Sequence, residues 1–326
     1  MSVGRVLLIV FRWGIFLLAC AFLYTRFSGS KGIEARSAMH SIWQSAESWP
    51  MLWAVFLMML LNWFLESYKW RMLMVPVESI PPWRAFLATI AGTSVGLVTI
   101  NRTGELLGRI LFLSPGNRIR GAFSTALGSI AQFVVTLFVG GVGLILLINS
   151  GLPLAWNSPW MSRVLVTLTA LCVAAALTLY LSPGLFRQVL VHLPILRRLE
   201  RASVVLDQHT PRELRVVLLL SMARYAVFGS QFIWLLVGFG AGLPIASLAI
   251  AITVVYLIAT LVPTVMLTEL GVRGTVAVSV LGPMGAADPA VLLAVTSLWA
   301  INVALPACVG SVILLLARVR TNSFGQ

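Results

Sequence analysis

Apolar runs of membrane-crossing length dominate this chain, and charge is nearly absent from them. A helix needs about 20 apolar residues to cross a hydrocarbon layer ~30 Å thick. Runs of that kind lie at about 6–25, 50–68, 121–148, 161–182, 215–240 and 290–317. With 59% of its 326 residues hydrophobic and 10% charged, a soluble globule could not bury the one part and solvate itself with the other. Disorder is excluded by the same apolar excess. Nucleic-acid binding would account for 23 basic against 10 acidic residues, but not for the hydrophobicity. The expected class is an all-α polytopic membrane helix bundle with no nucleic-acid partner. The first run is kept as a span and not a signal peptide, because Arg12 lies inside it and no clean small-x-small cleavage site follows.

The few charges set the orientation, because cytoplasmic loops are enriched in Lys and Arg. The loop 183–214 carries Arg187, Arg197, Arg198, Arg201 and Arg212, and the tail carries Arg318 and Arg320. Both are expected in the cytoplasm, as are 69–84 with Lys69, Arg71 and Arg84, and 115–120 with Arg118 and Arg120. The uncharged loops 149–160 and 241–243 are expected outside. Both termini then face the cytoplasm, in what reads as a bacterial inner membrane.

Two apolar segments do not fit as simple spans. Segment 83–114 is broken by Asn101-Arg102-Thr103-Gly104-Glu105, and segment 244–282 by Thr268-Glu269-Leu270-Gly271-Val272-Arg273. Each must begin and end on one side. At 32 residues the first is too short for two crossings, so a re-entrant hairpin of two half-helices is expected. The second, at 39 residues, fits either a hairpin or two crossings. Residues 50–148 and 215–317 then form an inverted-topology repeat. The remainder of this single transmembrane domain is 1–49 (first span and external segment), 149–214 (connecting span and basic loop) and 318–326 (tail). Inverted repeats with broken helices recur in transporters, where irregular backbone is tolerated beside a wet cavity.

The candidate site is the set of polar residues at the hairpin tips. It comprises Asn101, Arg102, Thr103, Gly104, Glu105, Arg109, Thr268, Glu269 and Arg273, with Arg224 inside the span 215–240. Asn101 or Thr103 is expected to cap one returning half-helix and Thr268 the other, aiming positive helix ends at an anionic group. Glu105 with Arg109, and Glu269 with Arg273, are spaced for pairing at i,i+4. That leaves Arg102 and Arg224 unpaired and the site positive. Glu66 reads as a surface ion pair beside Lys69 and Arg71. Trp43, Trp49, Trp53, Trp63, Trp70, Trp83, Trp156 and Trp160 read as an interfacial belt. Gly140-Gly141-Val142-Gly143 reads as helix packing. Leu185, Phe186, Val189, Leu190 and Leu193 suggest an interfacial helix that meets anionic lipid on the cytoplasmic side. Cys20, Cys172 and Cys308 lie in apolar runs, and His40, His192 and His209 form no cluster. No metal, cofactor or catalytic nucleophile is expected, and the chain is read as not an enzyme.

At the hairpin tips the sequence resembles a known family. Asn101, Gly104-Glu105 and the following Arg109 are similar to the "N…GE…R" signature of flippase-like membrane proteins related to the transmembrane half of lysylphosphatidylglycerol synthases (the multiple peptide resistance factors). Pro263 with Leu270-Gly271-Val272-Arg273 is similar to their second signature, "P…GGLGVRE". Arg109 falls one position late, Thr268-Glu269 replaces a Gly-Gly pair, and Gly274 stands where that signature ends in glutamate. The charged "ER..D" pattern is absent, with Ser129, Gln132 and Thr136 in its region. The sequence ends at Gln326, so a soluble aminoacyl-transfer domain is not expected.

The resemblance, over roughly 50–317, implies paired re-entrant elements and a role in moving lipid between leaflets. The leading expectation is a translocase for a lipid or lipid-linked precursor with an anionic or zwitterionic head group. Its partner is that membrane phospholipid or lipid-linked substrate. A homo-oligomer or a partner membrane protein is the further association considered. The alternatives are a membrane-embedded transferase and a non-transporting accessory subunit.

Overall fold

The computed structural model describes residues 48–99, 102–149, 158–182, 184–185, 187–188, 200–264 and 266–316. The span expected at 6–25, the segment before Ser48, Asn101, most of the 185–193 apolar set and the tail 318–326 lie outside the described residues. The rest is all α, 88% helical and without strands among the described residues.

Ten helices carry the fold: α1 (Ser48–Met74), α2 (Pro82–Leu97), α3 (Gly104–Ile110), α4 (Arg118–Asn149), α5 (Pro159–Leu181), α6 (Pro211–Gly238), α7 (Ile245–Leu261), α8 (Met266–Leu281), α9 (Asp288–Trp299) and α10 (Leu305–Leu316). Among the described residues, five stretches are long and apolar enough to cross a membrane, namely Trp49–Met74, Pro115–Asn149, Trp160–Leu181, Pro211–Gly238 and Asp288–Leu316. The chain is therefore an integral multi-pass membrane protein.

Local chemistry explains the boundaries. Pro82, Pro159 and Pro211 open their helices at a position whose N–H has no partner inside the helix. Thr210 and Glu213 form a reciprocal capping box at the start of α6. The last span is continuous but contains a π turn at Ala300–Ala304, in which the Leu305 N–H reaches back to the Ala300 carbonyl. Pro306, lacking an N–H, follows at once, so a widened turn accommodates it.

Helix α1 runs six residues past the expected end of its span, and this changes three readings. Glu66 and Lys69 are not at a surface; both lie inside the bundle, 5% and 1% exposed. Lys69 is therefore no part of the loop charge. Trp63 and Trp70 are likewise buried, and Trp70 donates its indole N–H to Thr125 Oγ1 at 2.9 Å. The interfacial belt keeps Trp49, Trp53, Trp83 and Trp160, which are exposed.

Segment 83–114 resolves into α2 and α3, an antiparallel pair held by glycines. Gly92 and Gly96 face Gly104 and Gly108, four residues apart on each helix. A Cβ at Gly108 would lie 2.7 Å from the Gly92 Cα, and one at Gly92 would lie 2.8 Å from the Glu105 carbonyl. Only glycine allows such backbone approach. The pair's entry and exit are tied together. Glu78, before α2, accepts hydrogen bonds from the Ser114 N–H (2.9 Å) and the Asn117 amide (3.1 Å), both after α3. Segment 244–282 resolves into α7 and α8, also packed on each other.

Helix α1 packs on α6, α2 on α10, and α4 on α7. Glycines seat the last two contacts. Gly310 of α10 lies against the Ile90 carbonyl of α2, and Gly140 and Gly143 of α4 lie against Thr253, Leu257 and the Ile250 carbonyl of α7. Helix α5 sits at the rim, touching mainly α4.

Candidate functional site

The helices surround one large cavity, of about 670 Å³. Six of the ten expected site residues line it as charged groups: Arg102, Glu105, Arg109, Arg224, Glu269 and Arg273. Thr103 lines it too. Gly104 does not; it is buried against the Val95 carbonyl and Thr99, where a side chain has no room. Asn101 lies outside the described residues, as does the side chain of Thr268. Thr103 makes no capping bond to α3. Thr99 takes that part, its hydroxyl accepting from the Gly104 N–H at 2.7 Å. The capping expected of Thr103 therefore belongs to a residue one turn earlier.

The charges are wired together through Glu66. Its Oε1 accepts from Arg109 Nη1 at 2.6 Å, and its Oε2 meets Lys69 Nζ at 2.7 Å and Arg224 Nη1. Arg109 continues to Glu105 Oε2 at 3.1 Å, and Glu105 Oε1 meets Arg102 Nη2 at 2.6 Å. One carboxylate thus joins α1, α3 and α6, and the chain of pairs ends at the hairpin tip. On the opposite wall Glu269 meets Arg273 at 2.9 Å. Both expected i,i+4 pairs are present. The expectation that Arg102 and Arg224 stand unpaired is corrected: Glu105 holds the first and Glu66 the second, because Glu66 is brought to membrane depth by the longer α1.

Neutral groups complete the wall. Arg224 Nε donates to Asn62 Oδ1 at 2.9 Å, and Lys69 Nζ donates to the Gly128 carbonyl at 3.2 Å. Gln132, with Ser129 and Thr136, lines the cavity on α4. Asn302, from the π turn, projects in from the last span. Asn62 is not singled out in the sequence, and Glu66 and Lys69 are read there as surface charges; their i, i+4, i+7 spacing on one helix face is the signal that places all three on the cavity wall.

Arg102 has φ +59°, a left-handed conformation that costs a residue with a side chain about 1–2 kcal/mol. Strain of this kind collects at functional sites, and here it sits at the tip that carries the cavity's first charge.

Glu78 and His209, both outside the spans, are shifted from their ordinary values. Burial alone would raise Glu78, but the Ser114 and Asn117 donors and nearby Arg84 outweigh it and hold the carboxyl below its ordinary range. Burial pushes the His209 imidazole down, against a weaker opposing pull from Glu213; its Nε2 lies 3.1 Å from Ser124 Oγ. No group of three or more His, Cys, Asp or Glu side chains suited to a metal ion occurs among the described residues.

A family model described as the lysylphosphatidylglycerol synthase TM region matches residues 5–311. No curated protein and no solved structure matches the chain.

Proposed function

The chain belongs to the lysylphosphatidylglycerol synthase TM-region family, and from that premise we propose that it is a translocase for a lipid or lipid-linked precursor. The observation that carries the reading is the intramembrane cavity, walled by charged side chains from both helix pairs, α2–α3 and α7–α8. Intramembrane charges are costly and are found where a polar substrate must pass. The head group would occupy this cavity while its tails remain in lipid. Phe133, Phe228 and Val303 supply apolar wall for the junction between them.

The packing supports a two-unit architecture. Exchanging α1, α2, α3 and α4 with α6, α7, α8 and α9–α10 maps most of the contacts onto one another, although α4–α6 has only a slight counterpart between α1 and the π turn at Ala300–Ala304. The α2–α10 contact becomes α4–α7, α1–α4 becomes α6–α9, and α1–α6 becomes itself. The Glu78 clamp supports a re-entrant α2–α3 pair, since its two ends meet at one end of the bundle. Rocking of such units about a central site is the usual means of alternating exposure. Transport is preferred to catalysis because each cavity carboxylate is already paired with a cation, leaving none poised as a general base.

Reconstitution into liposomes with fluorescent head-group-labelled lipids tests this reading. Lipid exchange between leaflets should accelerate with the wild-type chain and fall about tenfold or more in the variant with Glu105→Gln and Arg109→Ala. An unchanged rate in that variant would remove the charged cavity from the mechanism.

A further inference from the structure

The cavity's charge is not balanced. It is lined by five cations, Lys69, Arg102, Arg109, Arg224 and Arg273, against three carboxylates, Glu66, Glu105 and Glu269. Two positive charges are left over, in a half-open space walled by apolar helices. Lys69 and Arg109 are buried, while Arg224, Arg102 and Arg273 keep 17%, 25% and 30% of their side chains accessible. The guanidinium groups of Arg102, Arg224 and Arg273 are therefore the ones a ligand can meet. Hydrogen bonding is unbalanced in the same sense. The Trp63 indole N–H, the Tyr225 hydroxyl and the Nε groups of Arg102 and Arg109 are buried, belong to residues lining the cavity, and have no hydrogen-bond acceptor, against two lining acceptor oxygens without a hydrogen-bond donor, Asn302 Oδ1 and Glu269 Oε1, the latter in ion contact with Arg273. Trp63 and Tyr225 are themselves 4% and 8% exposed.

Surplus positive charge and surplus donors call for a group that is all acceptor and doubly negative. Resting on the reading of this cavity as the ligand site, we propose that its ligand presents a dianionic phosphate, either a phosphomonoester or a diphosphate. A zwitterionic phospholipid would leave both charges uncompensated, and a phosphodiester would leave one. Phosphomonoesters carry about −1.5 to −2 at neutral pH and offer three acceptor oxygens, and guanidinium groups match such oxygens two at a time. The proposal fixes the ligand's charge and not the rest of its structure.

Calorimetric titration of the full chain in non-ionic detergent tests this. The probes are farnesyl diphosphate, dioctanoyl phosphatidic acid, dioctanoyl phosphatidylglycerol, dioctanoyl phosphatidylcholine and inorganic diphosphate. The first two should bind about tenfold or more tighter than phosphatidylcholine, with phosphatidylglycerol between. Inorganic diphosphate binding much more weakly than farnesyl diphosphate assigns the phosphate to a lipid. Equal binding assigns it to a soluble compound; both keep the charge assignment. Arg102→Gln lowers the surplus to one and leaves Glu105 paired with Arg109, so the preference for dianions over phosphatidylglycerol should shrink. Glu105→Gln raises the surplus to three and should widen it. Phosphatidylcholine binding as well as the dianions in the wild type, or an order indifferent to both variants, overturns the proposal. Leaflet exchange with a zwitterion-favouring order would sink this inference and spare the transport reading; dianion selectivity without exchange would do the reverse.

Discussion

Replacing Glu66 with glutamine would leave Lys69, Arg109 and Arg224 facing one another with no acid between them. Breaking a buried ion pair from one side costs ~3–5 kcal/mol, so the thermal midpoint in detergent should fall sharply. Adding Lys69→Met should recover part of the loss; equal midpoints for the single and double variants would contradict the three-cation wiring. His209 gives a pH-dependent case. Its folded-state pKa lies below the ordinary imidazole value near 6.5, so its contribution is fully present above that value and is lost as pH falls toward the depressed one. From about pH 7.5 to 5.5 the wild type should lose more thermal stability than His209→Asn. A larger acid loss in the variant would reverse the sign and refute the assignment. At this scale legibility followed contrast. Charges interrupting the apolar segments at 102–109 and 269–273 stood out, and all five of them, with Arg224 from the span 215–240, do line the cavity. Glu66 and Lys69 sit where an apolar run merges with a basic stretch, so they looked like the end of a span. Tyr225 and Asn302 line the cavity from within apolar runs, and nothing local distinguished them.

Among the elements, the α2–α3 pair is the most tightly specified. Glycines at 92, 96, 104 and 108 bring two backbones together, and Gly108→Val would force the helices apart. Overpacking of this kind costs ~1–3 kcal/mol, and it would also displace Glu105 and Arg109. Gly108→Val should therefore lower both folded yield on size exclusion and leaflet exchange, whereas Gly116→Val, where a side chain meets open space, should change neither. Loss of exchange in both variants would detach the effect from helix approach. The helices themselves were largely readable: the expected segments correspond to α1, α4, α5, α6 and the α9–α10 span to within a few residues, except at the end of α1. That end was missed because hydropathy stops at the first charges, while a helix continues if its charges find partners inside. The π turn went unread, although Pro306, which removes an N–H inside the last span, marks its place in the sequence.

For the molecule as a whole, the paired contact pattern makes a prediction about exposure. If two units rock about the cavity, Ser129 on its wall should reach water from each side in turn. A Ser129→Cys variant, with Cys20, Cys172 and Cys308 changed to serine, should react with an impermeant maleimide added from either face of a vesicle. Reaction from one face only, in every condition, would rule out alternating exposure. The wiring through Glu66 carries a different kind of consequence, one about descent. Three helices depend on one acid, so no single substitution there is neutral: losing the acid strands Lys69 and Arg224 and leaves Arg109 with Glu105 alone, and losing a cation changes the charge of the whole cavity. Positions 66, 69, 109 and 224 should therefore have been inherited as a block, changing together or not at all. A relative with a neutral residue at position 66 should also have lost basic residues on two other helices.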